Sequence, residues 1–131
     1  YDSAGAVRDI VQNHLLQLLC LIAMEPPNSL DAENVRGEKI KVLSALRGFD
    51  DSNIASETVR AQYNAGHVED QRVPGYVDGL PEELKNSRTE TYAAIKTEIA
   101  NWRWAGVPFY LRTGKRMATR RRREQREEWH V

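Results

Sequence analysis

The sequence predicts an α+β domain, with a long buried N-terminal helix and a second helix packed on a partial, mainly antiparallel sheet. Three observations carry this prediction. Apolar residues recur at helical spacing through RDIVQNHLLQLLCLIAM, Arg8 to Met24, and alternate at period two from Thr89 to Ile99. Helical patterns also come before strand patterns, and no strand is followed by a Gly-rich phosphate-binding turn and a helix, which argues against a doubly wound nucleotide fold.

The first helix is expected to start at an Asp2 or Ser3 cap and to end near Met24, where Glu25-Pro26-Pro27 halts it because proline has no amide to donate. Val7, Ile10, Val11, His14, Leu15, Leu18, Leu19 and Ile22 follow the 3, 4, 3, 4 rhythm of one helical face, and His14 fills an otherwise apolar slot. Arg8, Asp9, Gln12 and Asn13 cover the other side. From Leu15 onward the segment is apolar nearly all round, so that half should be buried in something larger, with Cys20 and Met24 in the core.

A second helix is expected from about Asp31 to Arg47, capped by Ser29 or Asp31 and ended by Gly48, with Gly37 weakening its interior. Asp50 to Asn53 then reads as a loop, Glu57 to Tyr63 as a short extended segment, and Asn64 to Asn86 as a long loop punctuated by glycine and proline. Thr89, Thr91, Ala93, Ile95, Thr97 and Ile99 form one face of the clearest strand. Asn101 to Gly106 should make a compact turn in which Trp102 and Trp104 act as packing anchors. Pro108 to Thr113 reads as a further strand.

Composition fits one soluble unit: 131 residues, 40% hydrophobic and 29% charged. No apolar run is long enough for a bilayer, so no membrane partner is expected. One cysteine excludes an internal disulfide and makes a zinc cluster implausible, and the expected setting is cytoplasmic, with no metal. Net charge is zero, but residues 112–131 carry eight basic and three acidic groups, a local +5 that leaves −5 on the rest. This leaves room for an anionic partner near the C-terminus. The chain starts at Tyr1, shows no secretory signal pattern, and reads as an internal piece of something longer.

Two long motifs carry a resemblance. Tyr1 to His14 (YDSAGAVRDIVQNH), continued by Ala23-Met24-Glu25-Pro26-Pro27, and Asn101 to Lys115 (NWRWAGVPFYLRTGK), with Val59-Arg60-Ala61-Gln62-Tyr63 between them, are similar to the C-terminal domain of the glucose-6-phosphate dehydrogenase family. The resemblance covers residues 1–120. It implies an enzyme of the oxidative pentose phosphate pathway that oxidises glucose 6-phosphate at C1 to a phosphogluconolactone and passes hydride to NADP. It further implies that His14 is the base taking the C1 hydroxyl proton, that Asp9 hydrogen-bonds the sugar, and that Lys115 and Arg120 contact the phosphate. A histidine suits the first role because an unperturbed pKa of ~6.5 leaves neutral imidazole near pH 7. Judged by periodicity alone His14 would be a satisfied core residue; the motif reverses that reading.

The nucleotide-binding domain of the family is missing, and with it the aspartate that orients the catalytic histidine. NADP would therefore be bound mainly by that missing domain, and the chain alone is expected to have little or no activity. Family members form dimers or tetramers. On an ideal α-helix, five residues at 100° each would set Asp9 and His14 about 140° apart. The shared role therefore predicts a local irregularity such as a π-bulge, or a substrate lying along the helix flank. Arg121 to Val131 (RRREQREEWHV) departs from the family and is set apart as a divergent Arg/Glu-rich tail, 121–131. The rival function is a noncatalytic interaction module in which Arg120 to Arg123 neutralise the phosphates of a nucleic acid or another anionic partner. A solvated tail, with its arginines paired to Glu124, Glu127 and Glu128, is the favoured reading over nucleic-acid binding.

Overall fold

A computed structural model describes residues 4–68, the side chain of Val68 excepted, and residues 70–117. The expected caps Asp2 and Ser3, the residue Arg120 and the tail 121–131 lie outside the described residues.

The N-terminal helix has two parts: a π-helical stretch, Val7–Leu15, which runs directly into an α-helix, α1 (Leu16–Ala23). The irregularity anticipated from the Asp9 to His14 spacing is thus present, and it replaces the uninterrupted α-helix that the apolar rhythm suggests. Leu16 donates its amide to the Val11 carbonyl, five residues back, whereas Met24 donates to Cys20, four back. Met24 then turns extended (φ −70°, ψ 154°) ahead of the two prolines.

Helix α2 (Ala32–Ser44) starts on an Asp31 cap, whose Oδ1 accepts the Asn34 amide at 2.9 Å. It ends three residues short of the expected Arg47, because the chain peels away to run beside the sheet. Ala100 donates to the Ala45 carbonyl (2.7 Å), Leu46 bridges Ile99, and Arg47 donates to Glu98 O (2.9 Å). One helical turn, α3 (Ile54–Glu57), leads into β1 (Thr58–Ala61).

Within the expected loop lies more structure than glycine and proline content suggested. It folds as a hairpin of β2 (Gly66–Val68) and β3 (Gln71–Val73), followed by two 3₁₀ turns, Val77–Gly79 and Glu82–Leu84. Strands of three residues are too short to show a period.

Strands β4 (Tyr92–Glu98) and β5 (Pro108–Gly114) complete an antiparallel three-stranded sheet of order β1-β4-β5. The alternation holds: Thr91, Ala93, Thr97 and Ile99 are buried on the face turned toward the helices. There they meet two apolar clusters. One joins Leu19, Cys20 and Ala23 of α1 to Val42 and Ile99, with Trp104, Phe109 and Leu111 packed against it; the other joins Ala6 and Val11 to Ala93.

Two burial expectations are corrected. Leu18, Leu21 and Ile22 are half or more exposed (Ile22 68%), so the sheet and α2 cover only one side of α1. Trp102 is wholly exposed; Trp104 alone anchors the turn, donating Nε1–H to the Ala23 carbonyl at 2.9 Å and meeting Phe109 edge to face at 5.2 Å.

Candidate active site

The π-helical stretch changes which residues face where. A bond to the fifth residue back closes a turn of roughly 4.4 residues, or roughly 82° per residue, so positions 9 and 14 come within about 50° of each other rather than about 140°. The same change rotates position 14 away from Val11. His14 is exposed and not aligned with the apolar face, and Asp9 is half-buried. Among the described residues, neither side chain has a hydrogen-bond or ion-pair partner. That is the condition in which an imidazole and a carboxylate can be offered to a ligand.

The start of this stretch is held from the sheet. Ala6 donates its amide to the Glu90 carbonyl and Val7 donates to Glu90 Oε1, both at 3.0 Å. Next to Glu90, the buried Thr91 is a junction. Its amide donates to Ala61 O (2.9 Å), its hydroxyl accepts the Tyr63 amide (3.0 Å), and its carbonyl accepts the Lys115 amide (3.0 Å). Lys115, exposed just after β5, is thus tied to the residue following the one that holds the helix start. Arg120 lies outside the described residues, and nothing here positions it.

Three further residues shape this neighbourhood and were not singled out for it by the sequence. Arg116, at φ +50°, is exposed but donates to the Pro74 carbonyl (3.1 Å) and lies 5.2 Å over the Tyr63 ring, so its side chain is tied to the neighbouring loop. Gln62 donates to both Ser87 O and Thr89 O at 2.8 Å, pinning the chain that enters β4. Glu90 gave no signal, because its partner Val7 lies 83 positions away in the sequence, with Ala6 beside it.

Comparison with known proteins decides the family. The glucose-6-phosphate dehydrogenase C-terminal domain matches residues 1–124. The chain belongs to this family. A glucose-6-phosphate 1-dehydrogenase of Rhizobium meliloti (strain 1021) is 62% identical over 120 residues, covering 92% of this chain and 24% of the relative. The same-named enzyme of Gluconobacter oxydans (strain 621H) is 57% identical over 116 residues, 88% of this chain and 23% of the relative. The crystal structure of the Mycobacterium avium enzyme superposes with a TM-score of 0.71 at 47% identity, covering 87% of this chain and 22% of that one. A glucose-6-phosphate dehydrogenase solved in complex with its substrate glucose 6-phosphate superposes with a TM-score of 0.70 at 43% identity, over 86% and 22%. The chain therefore spans about a quarter of the length of these glucose-6-phosphate dehydrogenases, and the α+β fold is the one they share. No helix among the described residues is long and apolar enough to cross a membrane, and no described cluster of His, Cys, Asp and Glu could hold a metal ion.

Proposed function

We propose that this chain is the substrate-side segment of an NADP-dependent glucose-6-phosphate dehydrogenase. The observation that carries the reading is the π-helical register, which brings positions 9 and 14 toward one flank of a helix whose start and the Lys115 turn are held by adjacent residues, Glu90 and Thr91, just ahead of β4. In the reaction, C1 of the sugar loses a hydride while its hydroxyl loses a proton, leaving a C1 carbonyl. His14 accepts the proton through a ring nitrogen. Asp9 accepts hydrogen bonds from sugar hydroxyls and so orients C1 toward the imidazole. Lys115 and Arg120 offset the charge of the phosphate and hold the far end of the substrate.

The residues described do not fit a dinucleotide. They contain no strand, glycine-rich turn and helix in succession, the usual cradle for a pyrophosphate. NADP would bind outside this segment, and the chain's own share is proton transfer and substrate binding. The residues of the longer protein would also cover the exposed flank of α1.

Complementation tests this reading. Joined to the nucleotide-binding domain of the Rhizobium relative, the chain is expected to reduce NADP with glucose 6-phosphate, whereas the chain alone is not. In the joined protein His14→Asn should lower kcat by about 10³-fold, within the range for loss of a general base, with KM little changed. Turnover that ignores His14→Asn would sink the assignment. Lys115→Ala should instead raise KM.

A further inference from the structure

We infer that Glu90 is a positioning residue that fixes the π-helical register and so sets the angle between Asp9 and His14. The inference rests on the functional reading above and extends it to a residue that touches no substrate.

Four observations converge. The first helical amides normally need a local cap, yet among the described residues no side chain near Ala6 supplies one. Glu90, at the entrance to β4, takes two of these amides instead, Ala6 through its carbonyl and Val7 through its carboxylate. Gly5 sits at φ +73°, a conformation that favours glycine, and a Cβ there would lie 2.8 Å from Glu90 Cδ, so the chain needs glycine for the carboxylate to come this close. Ala6 is wholly buried in a cluster with Ala93 of β4, three residues past Glu90, which closes the clamp from below.

The other end of the helix is held independently. Trp104 Nε1 donates to Ala23 O, Lys39 Nζ donates to Gln17 Oε1 at 3.0 Å, and Leu19, Cys20 and Ala23 are sunk in the main apolar cluster. Between two fixed ends the number of residues per turn is not free. A wide turn packs more residues into a given axial length than an α-turn, and i to i+5 bonding over nine residues is rare enough to need such a constraint. Releasing the Glu90 end lets Val7 to Leu15 revert to the commoner α register, which swings Asp9 and His14 apart by roughly 90°.

The test uses the joined enzyme and the chain itself. Glu90→Ala should lower kcat at least tenfold at a temperature where the melting curve shows the protein folded. Glu90→Gln, which keeps a side-chain oxygen to accept from Val7, should retain kcat within about threefold. In the chain, NMR contacts between residues five apart across Val7 to Leu16 should give way to contacts four apart in Glu90→Ala. If that variant does not fold, Gly5→Ala, which keeps the carboxylate and blocks its approach, should show the same fall in kcat. Parent kcat in a folded Glu90→Ala or Gly5→Ala enzyme, with the wide register intact, overturns the inference. His14→Asn separates the two levels: a variant that loses activity while Glu90→Ala keeps it leaves the functional reading standing and removes only the clamp.

Discussion

Val7–Leu15 and Leu16–Ala23 are consecutive stretches of one helix, but they close their hydrogen bonds differently and turn different chemistry outward. The first is wide, bonded five residues back, and presents Asp9 and His14 on its flank; only Val11 within it is fully buried. The second is regular, and it buries Leu19, Cys20 and Ala23. On the proposed function, the rare register lies where side-chain direction matters, and the ordinary one where the apolar cluster is packed. The regular half carries stability that the irregular half uses.

The sharpest way to break this contrast is to attack the regular half. Leu19→Ala should cost about 3 kcal/mol, the usual range for a buried leucine truncated to leave a cavity, read as a shift in the denaturant midpoint of this chain. The same variant should expose the neighbouring Cys20. Burial pushes its thiol up from the ordinary range, with the Lys39 charge pulling the other way, so in the parent it should resist alkylation near pH 8 until the chain opens. Faster labelling in Leu19→Ala would follow from the lost stability. A parent thiol that labels at the rate of the unfolded chain would show that the α half is not the rigid one.

Much of this was legible because two of its signals are purely periodic. The inward face of β4 could be named from Thr91, Ala93, Thr97 and Ile99, since a strand's side chains alternate whatever surrounds them. Asp9 and His14 were legible as a pair only through the family motif, and their spacing then called for either an irregular helix or a substrate lying along the helix flank. The exposure of His14 was not legible, because the apolar rhythm assumes 100° per residue and the actual turn is wider. Trp102 and Trp104 look alike in sequence, but the turn between Asn101 and Gly106 sends one ring into solvent and the other against Phe109. Glu90 was silent because a cap delivered from another element leaves no local pattern.

A finer test compares the two halves by hydrogen exchange. Amides of Ile10 to Leu15 should exchange about tenfold faster than those of Leu19 to Ala23, a difference of ~1.4 kcal/mol in local opening. Their stretch is held by a clamp at one end and a single fully buried side chain, whereas α1 sits in the larger cluster. Equal protection would mean that the wide register is as firmly held as the regular one. The clamp would then reach further along the helix than Ala6 and Val7.

The smallest effect concerns how helices begin. The π-stretch starts on a cap supplied by the sheet, whereas α2 starts on its own Asp31, which takes hydrogen bonds from the Ser29 hydroxyl and from the backbone and side chain of Asn34. These donors, the Ser29 hydroxyl foremost, lower the Asp31 pKa from 3.8 to about 2. A carboxyl more acidic in the folded chain stabilises it above pH ~4 and loses that contribution as pH falls through about 2. Asp31→Ala should therefore lower the melting temperature slightly at pH 7, by less than Leu19→Ala does, and the gap from the parent should narrow between pH 4 and pH 2. The Glu90 anchor reaches across to another element, so its loss should change helix register, whereas the loss of Asp31 should only fray the first turn of α2. A gap that stays constant down to pH 2 would mean that Asp31 contributes through something other than its charge, and the distinction between a local and a remote helix start would have to rest on Glu90 alone.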